Sequence, residues 1–475
     1  MKKLPCTLLK ILCAAAIIAL TLPIFACSAN QKELCDKYEI TAEYDGNRTV
    51  TASEKVFFVN RGEGMASRIY FHLYPRAYEQ NAQFKASENI RAFGKITIDG
   101  VTSDKASESE IEGEDEDLLC VVPDSPVLPG ESMTITVRFT LTLPECDGRY
   151  GKTSSGNVNL FGFYPVLCYD GDTSPYYPYG EPFVSGVADY TVNLTVPESI
   201  TVAAGGLISE KSIGSGKKIA TATAKNTGFF AMSLGSFVQR TAKAGKTTVS
   251  ACFSTAEKAE SALKTAVAAV ATFSRLFGEY PYEYLSVVGS PGAEVCNASG
   301  TYTVGEDQNE SLFADGVIFG AARQWWGGAV GFDGVNCAFM QEGLSEYSAS
   351  IFYEKNAGYS ASFDERMRDA SLSYSLFVTE LKPENTAMQR KTCDFKNKTE
   401  YLFCTRLKGE LLFHSIRKTI GDDAFFESLR RFYRDNAGKV ASPDYLFAAI
   451  ENTCGKNLKS YSDGWINGND FVGKT

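Results

Sequence analysis

Phe319-Gly320-Ala321-Ala322-Arg323-Gln324-Trp325-Trp326-Gly327-Gly328, followed by Glu342-Gly343-Leu344-Ser345-Glu346-Tyr347 with eighteen residues between Arg323 and Glu342, are the stretches whose reading decides the fold. Both lie in runs apolar enough and long enough to predict helices, over 312–326 and 339–353. Residues four apart share one face of such a helix, so positions 319 and 323 point the same way. Trp325 and Trp326 follow on the same helix and are expected in the core rather than as an exposed aromatic platform.

Outward from these helices the period of the apolar residues changes twice. Leu263, Val267, Val270 and Phe277 fall near one helical face, with Gly278 placed to stop the helix, and 284–288 reads as a short strand. Toward the C-terminus further helices follow; for one of them Ser442 serves as cap, Pro443 as first residue and Gly455 as stop. Before 254 the period is two: Met133, Ile135, Val137, Phe139, Leu141 and Leu143 alternate with polar residues, as do Val192, Leu194 and Val196. Turn signals at Asp45-Gly46-Asn47, Pro129-Gly130 and Gly205-Gly206 punctuate this region. The acidic run 108–117 reads as a solvated loop between strands, because it lacks the ligand spacing and fixed glycine of a calcium loop. The chain is therefore multidomain: an N-terminal antiparallel all-β domain, a sandwich or saddle over 38–253, precedes a mostly helical α+β domain over 254–475.

The 475 residues supply enough chain for about two or three domains. Hydrophobic residues make up 44% and charged residues 22%, which fits packed cores and excludes global disorder. A formal charge of -10 argues against a nucleic-acid partner and against charge-driven adhesion to an anionic membrane. At the N-terminus Lys2 and Lys3 precede an apolar run from Ile11 to Phe25, shorter than the about 20 residues a spanning helix needs. It reads as a signal peptide over 1–26, with 27–37 as a linker. Ile24-Phe25-Ala26-Cys27 resembles a bacterial lipobox, which implies lipidation of Cys27 and anchoring at the extracytoplasmic face of the cell membrane; the alternative is an ordinary signal and a secreted chain. Of thirteen cysteines, ten lie beyond Cys27, scattered and without a Cys-x-x-Cys pair, and they are expected to be mostly free and buried.

The stretches quoted at the outset resemble the aminopeptidase N-type (M1) family of zinc peptidases, a gluzincin scaffold with a thermolysin-like domain. In that family a helix carries His-Glu-x-x-His before Gln-Trp, and eighteen residues on a Glu before Gly completes the metal shell. Tyr70-Phe71-His72-Leu73-Tyr74-Pro75, Asp189-Tyr190 with Val196-Pro197, and Lys408-Gly409 with Leu411-Leu412-Phe413 extend the resemblance over most of the chain. Two histidines on one face bind Zn²⁺ while the glutamate between them activates water. Here the first ligand position is Phe319, the general base Gly320 and the second ligand Arg323; the family's tyrosine, two residues before Lys-Gly, is Arg406. Of the metal shell only Glu342 remains. The only histidines, His72 and His414, belong to no His-x-x-x-His pair and are expected to be structural.

The resemblance thus implies a peptidase scaffold with degenerate catalytic positions Phe319, Gly320, Arg323 and Arg406, and with no zinc, although zinc is the family's cofactor. Glu342 is a remnant ligand, and Glu294, in a loose counterpart of the family's substrate-amine loop, is a second candidate binding residue. A buried Glu342 without its metal needs a cation, so a direct Arg323–Glu342 salt bridge is expected. Three functions follow as alternatives: a membrane-anchored pseudopeptidase binding a peptide or protein ligand; an active zinc aminopeptidase, as the family implies; or a surface structural or interaction lipoprotein with a filled cleft.

Overall fold

Met133, Ile135, Val137, Phe139 and Leu141, fully buried on one face of the strand Ser132–Thr142, anchor the first of two cores. The computed structural model describes residues 35–86, 89–292, 294–359 and 361–468. The expected signal peptide over 1–26, Cys27 and all but the end of the linker lie outside the described residues, as does Ala293 beside Glu294.

Ser132–Thr142 sits in a seven-stranded sheet, in the order Leu207–Gly214, Lys217–Thr227, Ala188–Pro197, Asp36–Tyr44, Thr49–Val59, Ser132–Thr142 and Lys95–Ser103. Its inner face, with two four-stranded sheets, encloses the core in which Tyr38, Tyr164 and Tyr190 pack ring to ring. The region is all-β with antiparallel sheets, as the alternation predicts, with one pairing of opposite sense: Asp36–Tyr44 runs parallel to Ala188–Pro197. A long connection separates these two strands, and parallel neighbours need one.

The acidic run differs from its reading as a loop. Ser107–Glu112 is a strand paired to Leu118–Pro123, and only 113–117 turns. Its acids are tolerated because this is an edge strand with most side chains in solvent. Glu110 and Glu112 both bind Arg68.

A five-stranded sheet, Val238–Ala244, Thr247–Phe253, Tyr284–Ser290, Thr301–Gly305 and Asn297–Ala298, opens the second half. Thr247–Phe253 runs parallel to Tyr284–Ser290, so this sheet extends across the boundary expected at 253/254. Helices follow: α1 (Ala256–Phe277), α2 (Glu310–Arg323), α3 (Phe339–Lys355), α4 (Phe363–Leu376), α5 (Lys398–Leu402), α6 (Lys408–Ile420), α7 (Asp422–Asn436), α8 (Pro443–Cys454) and α9 (Lys459–Asn467). α1 ends at Gly278 and α8 at Gly455, as expected; Ser442 precedes Pro443 at the start of α8 but makes no side-chain cap bond.

α2 stops at Arg323, three residues short of its expected end. There the backbone tightens, with Gln324 N–H donating to Ala321 O (3.1 Å) and Trp325 N–H to Ala322 O (3.0 Å). Gly327, at φ +126, then turns the chain away. Gln324 is fully buried and fully used: its oxygen accepts from Tyr280 Oη and Gly300 N, and its amide donates to Asn297 Oδ1 and Ala298 O. Trp325 and Trp326 are also fully buried, donating to Gly278 O and Ser348 Oγ.

Two motif glycines set the crossing that shapes the site. A Cβ on Gly343 of α3 would lie 2.7 Å from the Cα of Gly409 on α6, and one on Gly409 would lie 2.8 Å from the Cα of Gly343. The helices touch backbone to backbone, and no side chain can flex out of the way. Gly343→Ala and Gly409→Ala are each expected to destabilise the fold by about 1–3 kcal/mol, because overpacking at rigid backbone forces the helices apart. Denaturant midpoints equal to that of the natural chain would show that the crossing has slack.

Candidate functional site: a buried ion-pair chain around Glu342

Glu342 lies in the first turn of α3, where the helix N-terminus favours negative charge, and only 3% of its side chain is exposed. Arg323, the last residue of α2, donates from Nη1 to Oε1 at 2.9 Å. This is the salt bridge expected from the sequence. A second guanidinium, unforeseen as a partner, takes the other oxygen: Arg406 reaches Oε2 through Nε at 2.9 Å and Nη2 at 2.8 Å. Arg406 sits on a π-helical turn, Phe403–Leu407, that joins α5 to α6. Such widened turns re-aim a side chain relative to the regular helix. Tyr401, fully buried, sets its hydroxyl 3.5 Å from Oε1.

The chain of charges continues into the β-rich half. Arg323 Nη2 lies 3.2 Å from Glu181 Oε1, and Arg149 Nη1 donates to Glu181 Oε2 at 2.9 Å. Arg149 also reaches Gly180 O at 2.8 Å and Glu294 Oε1 at 3.5 Å, while Lys398 Nζ donates to Glu294 Oε2 at 3.0 Å. Glu294 thus joins the cluster of which Glu342 is the deepest acid. Sequence reasoning missed Arg149, Glu181, Lys398 and Tyr401. Arg149 and Glu294 lie 145 positions apart, and Tyr401 and Glu342 lie 59 apart, so no local pattern links them.

Burial works against ionisation of Glu342, yet Arg323 and then Arg406 overcome it and hold the carboxyl below its ordinary range. For Glu181 burial prevails over Arg149 and Arg323, and its carboxyl stays above that range. Burial first, and the Glu342 charge next, push the Tyr401 phenol well up, so it remains a neutral donor to Glu342.

The other degenerate positions are filled. Phe319, one turn before Arg323, is buried, and the Arg406 guanidinium stands 4.2 Å from its ring centroid. At Gly320 a Cβ would collide with the ring of fully buried Tyr302, whose hydroxyl donates to Val317 O at 3.0 Å. A glutamate at 320 has no room beside that ring. His72 is buried, with Nε2 2.9 Å from Asp172 O and its ring stacked on Tyr74; burial pushes its pKa down to about 4. His414 places Nδ1 3.2 Å from Tyr347 Oη. Among the described residues the one trio of metal-ligand side chains close enough to share an ion is Glu110, Glu112 and Cys120, on the sheet edge in the β-rich half. A tetrahedral zinc site needs three protein ligands. Phe319, Gly320, Arg323 and a doubly engaged Glu342 do not fit that ion.

Residues 303–465 match the Peptidase family M1 domain, and that span runs from the strand Thr301–Gly305 into α9. Over that span the chain is similar to peptidase family M1. Solved structures with the two-domain M1 fold include the M1 zinc metallopeptidase of Deinococcus radiodurans, at 18% identity and TM-score 0.68, covering 92% of this chain and 93% of that one. An alanine mutant of the same enzyme gives 17% and 0.69, covering 92% and 94%. That mutant bound to a Tyr-Ser-Ala substrate gives 17% and 0.67, with the same coverage. At such identity the likeness to these M1 structures shows the fold alone. No curated protein matches the sequence.

In this M1 fold Arg323 serves two buried acids at once. Arg323→Ala is expected to cost about 3 kcal/mol, because removing one partner of a buried pair strands the other. Adding Glu342→Gln should recover part of the loss, since a neutral amide needs no counter-charge. Denaturant unfolding of the single and double variants measures both; an Arg323→Ala midpoint unchanged from the natural chain would mean the pair contributes nothing.

Proposed function

We propose that this M1 chain is a pseudopeptidase: it binds no zinc, hydrolyses no peptide bond, and is held at the extracytoplasmic face of a bacterial membrane by lipid on Cys27, where it binds a peptide or protein ligand. The observation that carries the reading is that Glu342, the last metal-ligand position, has both carboxylate oxygens taken by guanidinium groups. A zinc ion would have to displace two permanent cations from a buried site, and arginine does not give up its charge. Hydrolysis also needs a base at 320, where glycine moves no proton and Tyr302 leaves no space. Lys2, Lys3, the apolar run and Cys27 support the anchoring.

The burial of Phe319, Arg323 and Glu342 favours one other reading, in which the old metal centre is purely a structural plug and the β-rich half makes the contacts of a surface protein.

Zinc analysis of the purified chain, with an aminoacyl-amide hydrolysis assay on the same sample, decides between inactivity and family-type catalysis. Zinc well below one per chain and no turnover are expected; stoichiometric zinc with turnover sinks the proposal. For the anchor, Cys27→Ser should move the protein from the membrane fraction to the soluble one. Retention of the variant in the membrane would rule out lipidation at that residue.

A further inference from the structure

The ion-pair chain ends in a cation at each side. Lys398, Arg149, Arg323 and Arg406 stand against Glu294, Glu181 and Glu342, so one positive charge within the chain is unmatched. The inner cations are sealed, with 7% of the Arg149 side chain and 3% of the Arg323 side chain exposed. The end cations are open: 51% for Lys398 and 35% for Arg406. Lys398 opens α5, in direct contact with Glu294, and Arg406 sits on the π-helical turn that follows α5 directly, so the two open ends stand on one short helical run. Glu346, whose charge also acts on Arg406, shares Arg366 with Asp315, each at 2.9 Å.

Arg406 is also set for recognition. Nε and Nη2 are spent on one oxygen of Glu342, whereas Nη1 has no acceptor among the described residues. Phe319 lies 4.2 Å from the guanidinium carbon and limits its movement, so its open edge presents N–H donors in a fixed fork. A planar two-oxygen acceptor complements that fork, with the Lys398 ammonium adding a point charge. A ligand ammonium group meets the opposite situation, because both oxygens of Glu294 and both of Glu181 already face cations.

We propose that the site binds a carboxylate between Arg406 and Lys398, and so takes a peptide by its C-terminal carboxylate rather than by the amino group. This rests on the pseudopeptidase reading, since a zinc ion at Glu342 would displace Arg406. The preference follows from what is left open: the acids of the chain already face cations, while Lys398 and Arg406 keep exposed cationic ends.

Calorimetric titration of the purified full chain tests it with three probes: an N-acetylated tripeptide acid, its C-terminal amide, and the tripeptide amide with a free amino group. The acid is expected to bind at least about tenfold more tightly than its amide, the scale of one charge-assisted hydrogen bond. Lys398→Gln should weaken the acid severalfold and leave the amide unchanged; being half-exposed, this position keeps the test valid even where Arg406→Gln fails to fold. Equal binding of acid and amide, tighter binding of the free-amine probe, or binding of inorganic phosphate in place of the acid overturns the proposal. Zinc content measured on the same sample separates the two failures. A zinc-free chain without acid preference overturns this inference alone and leaves the plugged-site reading, whereas stoichiometric zinc removes its foundation.

Discussion

Glu342 is a carboxylate sealed in the interior, and the arrangement around it exists to keep it charged there. An isolated ionised acid in such a place costs several kcal/mol after relaxation, and the usual outcome is protonation. Two guanidinium groups and a phenol prevent that here. Arginine suits the task better than lysine because its planar fork satisfies geometry as well as charge and stays cationic when buried. Each arginine stands at a position that the M1 resemblance assigns to chemistry, and here both serve to hold Glu342.

This centre also joins the two halves of the chain. Arg149 and Glu181 come from the β-rich half, Arg323, Glu342 and Arg406 from the helical half, and the alternating contacts set each of these charges against at least one of opposite sign. Backbone packing makes the geometry possible. Contact of Gly343 with Gly409 brings α3 against α6, and this places the first turn of α3 beside the π-helical turn carrying Arg406. Gly-containing motifs beside Glu342 and Lys408 thus have a packing cause that is independent of any chemistry around them. Gln324 and the two tryptophans behave the same way, tying the end of α2 to the strands and to α3.

Much of this was legible in the residues, and the misses have physical reasons. Alternation over 133–143 fixes a buried strand face because the side-chain period of a strand is two, whatever its partners. It cannot fix strand direction, so the parallel pairing of Asp36–Tyr44 with Ala188–Pro197 was invisible. The acids of 107–112 read as loop because the charge of an edge strand is indistinguishable in sequence from that of a turn. The pairing of Thr247–Phe253 with Tyr284–Ser290 was likewise invisible, since a change of period marks a new element and says nothing of which sheet a strand joins.

By itself the sequence determined that the positions which the M1 resemblance assigns to two histidines hold Phe319 and Arg323, that the one it assigns to the base holds Gly320, and that the spacing to Glu342 matches; from buried-charge energetics it also determined that Arg323 must meet Glu342. These are local facts, set by helical period and residue chemistry. Only the tertiary structure decided that Arg406 shares Glu342, that Tyr302 fills the space beside Gly320, and that Arg149, Glu181, Glu294 and Lys398 extend the pair into a chain with open cationic ends. Those partners lie up to 145 positions apart, and Coulomb interaction depends on distance in space, which the order of residues along the chain does not supply.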